Sequence, residues 1–176
     1  MTYKKKNIVI DFKKNFKEKT EIIEVLKELI NDNLSNDQKI EKLKKLKENW
    51  IKIGKVQSHL SFGLTNSYKH HVKLFYDYIY LNKKIKEKDQ KENRRLKLEI
   101  INSAQRIESY GDKLKSYREL LSLIKKWNYV IGPIKKEDEI KLDSKFDSII
   151  QRVKENKKDY LKNKNDYDDK NLQIKK

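Results

Sequence analysis

The chain has 176 residues, a net charge of +17, 40% charged side chains and a mean hydropathy of -1.02. Leu, Ile, Val and Phe still make up about 28% of it, above the roughly 20% below which disorder is expected, so there is material for a thin core in one domain or two small ones. Cysteine is absent, which excludes disulfides, thiolate metal sites and thiol nucleophiles.

The start, "MTYKKKNIVIDFKK", has an apolar patch from Ile8 to Ile10 that Asp11 interrupts. That is too short for a signal peptide's apolar region of about 7–15 residues. Residues 1–16 are read as an N-terminal basic segment, within which "NIVIDF" is the one strand candidate. No apolar run approaches the ~20 residues that span a membrane. The expectation is a cytoplasmic protein with no membrane partner.

One Pro and four Gly leave few helix breakers, so long helices are expected. Apolar residues recur at three and four: Ile22, Ile23, Leu26, Leu29 and Ile30; then Ile40, Leu43, Leu46 and Trp50; then Tyr68, Val72, Phe75 and Ile79. Each stripe predicts a helix with one buried face. Helix A is placed at about 18–31 and helix B at about 36–53, with Ser35 or Asn36 as N-cap. Helix C begins near Thr65 or Asn66.

The second half repeats the first. A shift of 78 lays Ile22, Ile23, Leu26 and Leu29 on Ile100, Ile101, Ala104 and Ile107, and Gly54, Leu64 and Tyr68 on Gly132, Leu142 and Phe146. A shift of 77 lays Leu43, Leu46 and Trp50 on Leu120, Leu123 and Trp127. Copy two therefore has one more residue between Trp and Gly, to be absorbed in a π-bulge or in the turn. Its helices are placed at about 96–109, 113–131 and 137–165. The fold class expected is all-α, with elongated tandem three-helix units at 17–94 and 95–165. A polar tail at 166–176 contains "DYDD".

Each copy pairs a Trp with a Gly, in "ENWIKIGKV" and "KKWNYVIGPI". Gly54 and Gly132 are read as helix stops that adopt positive φ cheaply, with Pro133 reinforcing the second stop. Trp50 and Trp127 lie on the apolar stripes as core plugs; the competing reading exposes them for stacking on a base or a partner.

The segment from Asn82 to Arg95, "NKKIKEKDQKENRR", has one apolar residue, Ile85, and no Gly or Pro. It predicts an unbroken helix, polar on all faces, running from about 66 to 108 between the units. At 1.5 Å per residue that helix would be roughly 60 Å long. Lys84, Lys88, Lys91 and Arg95 line one face, with Arg94 beside them. The stripe suits a phosphate backbone; the plainer reading is a solubilising face. That plainer reading has support, because 39 of the 44 basic residues are Lys and Ala104 is the sole Ala, a profile that an AT-rich genome imposes. "KLFYDYIY" (73–80) reads either as core with a bundle edge or as a partner-binding surface with Tyr78 stacking on a base.

The repeated "LKENWIKIGKV … SYKHHVKLFYDY" resembles a bacterial family, domain of unknown function 349. Copy one is similar at Leu46, Trp50, Ile53, Gly54, Val56, Tyr68 and Phe75. Copy two is similar at Leu123, Ile131, Gly132, Pro133, Ile134 and Phe146, and departs in its Trp-to-Gly spacing and in Val153, where an aromatic is expected. The resemblance implies helical repeats and a bacterial cytoplasmic protein, and no catalytic residues.

His59, His70 and His71 are the only His residues. Adjacent positions on a helix point about 100° apart, so no metal site is expected. There is no Gly-rich phosphate loop and no nucleophile motif. The chain is read as a non-enzymatic protein without a cofactor. Its partner is RNA or the ribosome through basic surfaces; alternatively, it is a scaffold or coiled-coil partner for another helical protein. The oligomeric state is left open.

Overall fold

The computed structural model describes residues 11–174, with side chains described through residue 164. Residues 7–10 of the strand candidate lie outside the described residues, as do the side chains of "DYDD". Six helices follow one another, and among the described residues there is no strand: α1 (Phe12–Glu28), α2 (Asn36–Lys52), α3 (Ser58–Ile79), α4 (Lys83–Glu108), α5 (Lys113–Tyr129) and α6 (Lys136–Ile174). They form two compact units, Met1–Glu87 and Lys88–Lys176, so the division falls within α4. The all-α tandem expectation holds.

Local chemistry sets the helix starts. Asp11 accepts a hydrogen bond from Lys14 N at 2.9 Å and caps α1, which therefore begins ahead of residue 18. Ser35 and Gln38 form a reciprocal capping box on α2. Asp112 accepts from Lys115 N at 2.8 Å and caps α5. α3 starts at Ser58, several residues before Thr65.

The expected unbroken helix from 66 to 108 is two helices, separated by Tyr80–Asn82. Leu81 N and Asn82 N reach back only three residues, to Tyr78 O and Ile79 O, which tightens the end of α3. The Asn82 side chain then accepts from Ile85 N at 3.3 Å and starts α4 afresh. A capping Asn breaks this helix without Gly or Pro.

In the first unit α1 packs on α2 and α3. Its core gathers Ile22, Ile23, Leu26 and Leu29 with Leu43, Trp50, Leu64, Tyr68, Phe75 and Ile79. Trp50 is 3% exposed and stacks on Tyr68 with ring centroids 4.0 Å apart. Lys47, buried beside this core, donates to the Tyr76 hydroxyl at 3.0 Å. In the second unit α5 packs on α6, and Ile100, Ile101, Ala104, Leu120, Phe146, Ile149 and Val153 fill the interior. Trp127 stacks on Phe146 at 4.4 Å but is only half-buried, so it plugs its core less completely than Trp50. The extra residue of the second copy is absorbed at the end of α5. There the Lys126 carbonyl accepts from both Val130 N (2.9 Å) and Ile131 N (3.1 Å), a single π-type turn.

Candidate nucleic-acid interface

Lys84 in the first unit, and Lys88, Lys91, Arg94 and Arg95 in the second, are all exposed. The two arginines are already engaged. Arg94 Nε lies 3.1 Å from Asp138 Oδ2. Arg95 is forked between Glu92 (2.6 Å) and Glu99, and hydrogen bonding to Glu92 raises its pKa further above the guanidinium's ordinary value. Lys84 and Lys91 are the part of the expected stripe left facing solvent without a carboxylate partner among the described residues.

The same helix is not polar on all faces toward water. Asp89, Asn93 and Lys97 are buried at 6%, 3% and 5% exposure. Asn93 Nδ2 donates to Asp89 Oδ2 (2.8 Å) and to the Pro133 carbonyl (3.1 Å), while Gly132 N donates to Asn93 Oδ1 (3.3 Å). The expected all-polar helix is thus a latch that holds the Gly132–Pro133 turn. Lys97 Nζ sits 4.4 Å from the Trp127 ring centroid and 3.0 Å from Asp143 Oδ1.

The first unit repeats both devices. Asn15 Nδ2 donates to the Lys55 carbonyl at 2.7 Å, and Lys19 Nζ lies 4.7 Å from the Trp50 ring centroid. Asn15 and Lys19 precede Asn93 and Lys97 by 78 residues, the offset of the repeat. This explains the glycine differently from a positive φ, which no described residue adopts. A Cβ on Gly54 would lie 2.7 Å from Asn15 Nδ2, so a side chain there would push the Asn15 latch aside, a constraint of close approach and not of backbone handedness. The Trp–Gly motif is therefore the receiving half of a structural lock, and its other half, Asn with Lys, stands about forty residues earlier.

The charge surplus is shared. Met1–Glu87 holds 20 lysines and 11 carboxylates, net +9, which leaves +8 of the +17 to the second unit. Many carboxylates are taken by lysines one turn away, as in Lys17–Glu21, Lys45–Glu41, Lys52–Glu48, Lys73–Asp77 and Lys115–Glu119. Lys55, Lys83, Lys91, Lys125, Lys154 and Lys158 are exposed and make no ion pair among the described residues.

Of "KLFYDYIY", Phe75, Tyr76 and Ile79 are core, while Tyr78 is 40% exposed under Lys39 Nζ at 5.2 Å. Among the described residues no group of three or more His, Asp or Glu is placed to hold a metal, and no helix is long and apolar enough to cross a membrane. His70 and His71 meet edge to face at 5.1 Å, and burial is the main cause that lowers the His71 pKa. Residues 4–59 and 63–137 match the family model described as Domain of Unknown Function (DUF349). No curated protein and no solved structure matches the chain.

Proposed function

Because the chain belongs to the DUF349 family, matched twice along its length, we propose that it is a non-enzymatic cytoplasmic protein that associates with RNA or the ribosome through exposed lysines. What supports this reading is the surplus of exposed lysines with no carboxylate partner in both copies, since such charges gain most by releasing counterions from a phosphate backbone. Lys84 and Lys91 contribute to that surface; Arg94 and Arg95 serve the fold.

The salt dependence tests it. Binding to single-stranded RNA should weaken with log salt by about 0.7 log units per phosphate contact. Lys84→Gln with Lys91→Gln should shallow that slope by about 1.4 and weaken every RNA sequence alike, because phosphate contacts carry no base information. Glutamine keeps the helix. An unchanged slope would remove these two lysines from the surface. No binding at about 50 mM salt, where phosphate contacts are strong, would end the RNA reading.

One observation favours a protein partner instead. Leu74, Tyr78 and Leu81, at spacings of four and three, are 40%, 40% and 83% exposed, with Lys83 and Lys84 beside them. An apolar stripe rimmed by lysines fits an amphipathic helix with acidic flanks. Copurification separates the two readings. An RNA-held assembly should disperse with ribonuclease. A helix-held one should resist ribonuclease and be lost on Leu81→Ser.

A further inference from the structure

The five arginines all lie in the second unit, between Arg94 and Arg152. Three are fixed to carboxylates: Arg94 to Asp138, Arg95 to Glu92 and Glu99, and Arg152 to Glu108. Arg106 is not. Among the described residues Arg106 makes one polar contact, a 3.4 Å hydrogen bond to the Ser103 hydroxyl. It lines a groove of about 370 Å³ between α4 and α5, together with Ser103, Ile107, Tyr110, Ser122 and Leu123.

The groove has the parts of a nucleotide seat. Buried Ile107 and half-buried Leu123 supply an apolar base. Tyr110 offers a ring 36% exposed at one end, and Arg106 stands one turn before it on α4. Lys115 Nζ lies 5.6 Å from the Tyr110 ring centroid, and Lys113 Nζ donates to the Tyr110 carbonyl at 2.9 Å. The nearby carboxylates are occupied. Glu108 binds Arg152, which lowers the Glu108 pKa, and Asp112 caps α5. Glu119, the one carboxylate in the lining, sits 3.9 Å from Lys115, a surface pair weak enough to exchange for a phosphate.

The repeat supplies an internal contrast. The corresponding stretch of the first copy, 78 residues earlier, has Val25, Glu28, Leu29 and Asp32 in place of Ser103, Arg106, Ile107 and Tyr110. It holds two carboxylates and no aromatic ring. The second copy's groove has a tyrosine and a free guanidinium in a frame that does not need either for packing.

We propose that the α4–α5 groove of the second unit seats one nucleotide of a single-stranded RNA, its base on Ile107 and Leu123 against Tyr110, its phosphate at Arg106 and Lys115. Stacking on a tyrosine is tolerant of base identity, and Arg adds charge and planarity to the seat. This rests on the RNA-associated reading and adds a stacking contact that lysines alone do not provide.

The test titrates the full chain with labelled oligouridylate and oligoadenylate of about ten nucleotides, inside the ~4–16 that single-strand sites cover. Tyr110→Ala should weaken both by roughly 5- to 150-fold, the range for losing one stacked base, with the salt slope unchanged. Tyr110→Phe keeps the ring and should bind as the wild type. Arg106→Gln should shallow the slope by about 0.7, one phosphate contact. If Tyr110→Ala binds as tightly as the wild type, or Tyr110→Phe binds as weakly as Tyr110→Ala, the groove is not the seat, while the RNA-associated reading stands. If the wild type binds neither oligomer at about 50 mM salt, both readings fall.

Discussion

Replacing Trp50 with Ala is expected to cost the first unit about 3–5 kcal/mol, the usual penalty for deleting a buried large aromatic. The ring is 3% exposed, stacks on Tyr68 at 4.0 Å and has Lys19 Nζ over it at 4.7 Å. Truncation removes the stack, the cation's partner and the volume around which α1, α2 and α3 meet. A core this thin has little capacity to collapse into the gap. Trp127→Ala should cost less, because that ring is half-buried. Urea unfolding of both variants measures the difference. A Trp50→Ala loss below about 1 kcal/mol, or a larger loss at Trp127, would refute the plug.

The second large effect is expected at Asn93→Ala, in the second unit. The side chain is 3% exposed and makes three hydrogen bonds: to Asp89, to the Pro133 carbonyl and from Gly132 N. Alanine keeps the helix but strands the Gly132 N–H. A buried group left without a partner costs roughly 1–3 kcal/mol, and the variant should lose about that much. Amide exchange at Gly132 should accelerate ahead of global unfolding, since the turn is released first. Slow exchange at Gly132 in a variant of wild-type stability would show that the latch is dispensable.

The sequence made the helices and their buried faces readable because apolar spacing is a direct projection of helix geometry. Leu43, Trp50, Phe75, Ile101 and Leu120 lie where their stripes put them. What escaped was polar. Pattern reading assigns Asp89, Asn93 and Lys97 to solvent, yet these residues carry the lock that holds the Gly132 turn and the Trp127 ring. Their signal was present in the 78-residue offset, which lays Asn15 on Asn93 and Lys19 on Lys97. The break at Asn82 was missed because a capping side chain ends one helix and starts another as well as a Gly or Pro does. In the expected phosphate stripe, exposure was legible from register. The engagement of Arg94 was not, because its partner Asp138 arrives from a distant helix. Arg95 was legible, with Glu92 and Glu99 one turn away on either side.

A duplicated chain carries a hazard of its own, because each helix has a look-alike that could take its place during folding. The buried Lys47–Tyr76 pair bears on this. In the second copy the position of Tyr76 is held by Lys154 and that of Lys47 by Ile124. If α2 were to dock on α6 in place of α3, a buried ammonium would face another ammonium instead of a phenol. In the reverse exchange the Tyr76 hydroxyl would meet an aliphatic side chain. A buried ammonium or hydroxyl left without its partner disfavours the crossed pairings. The buried Lys47 thus finds its phenol partner only in the correct pairing of α2 with α3.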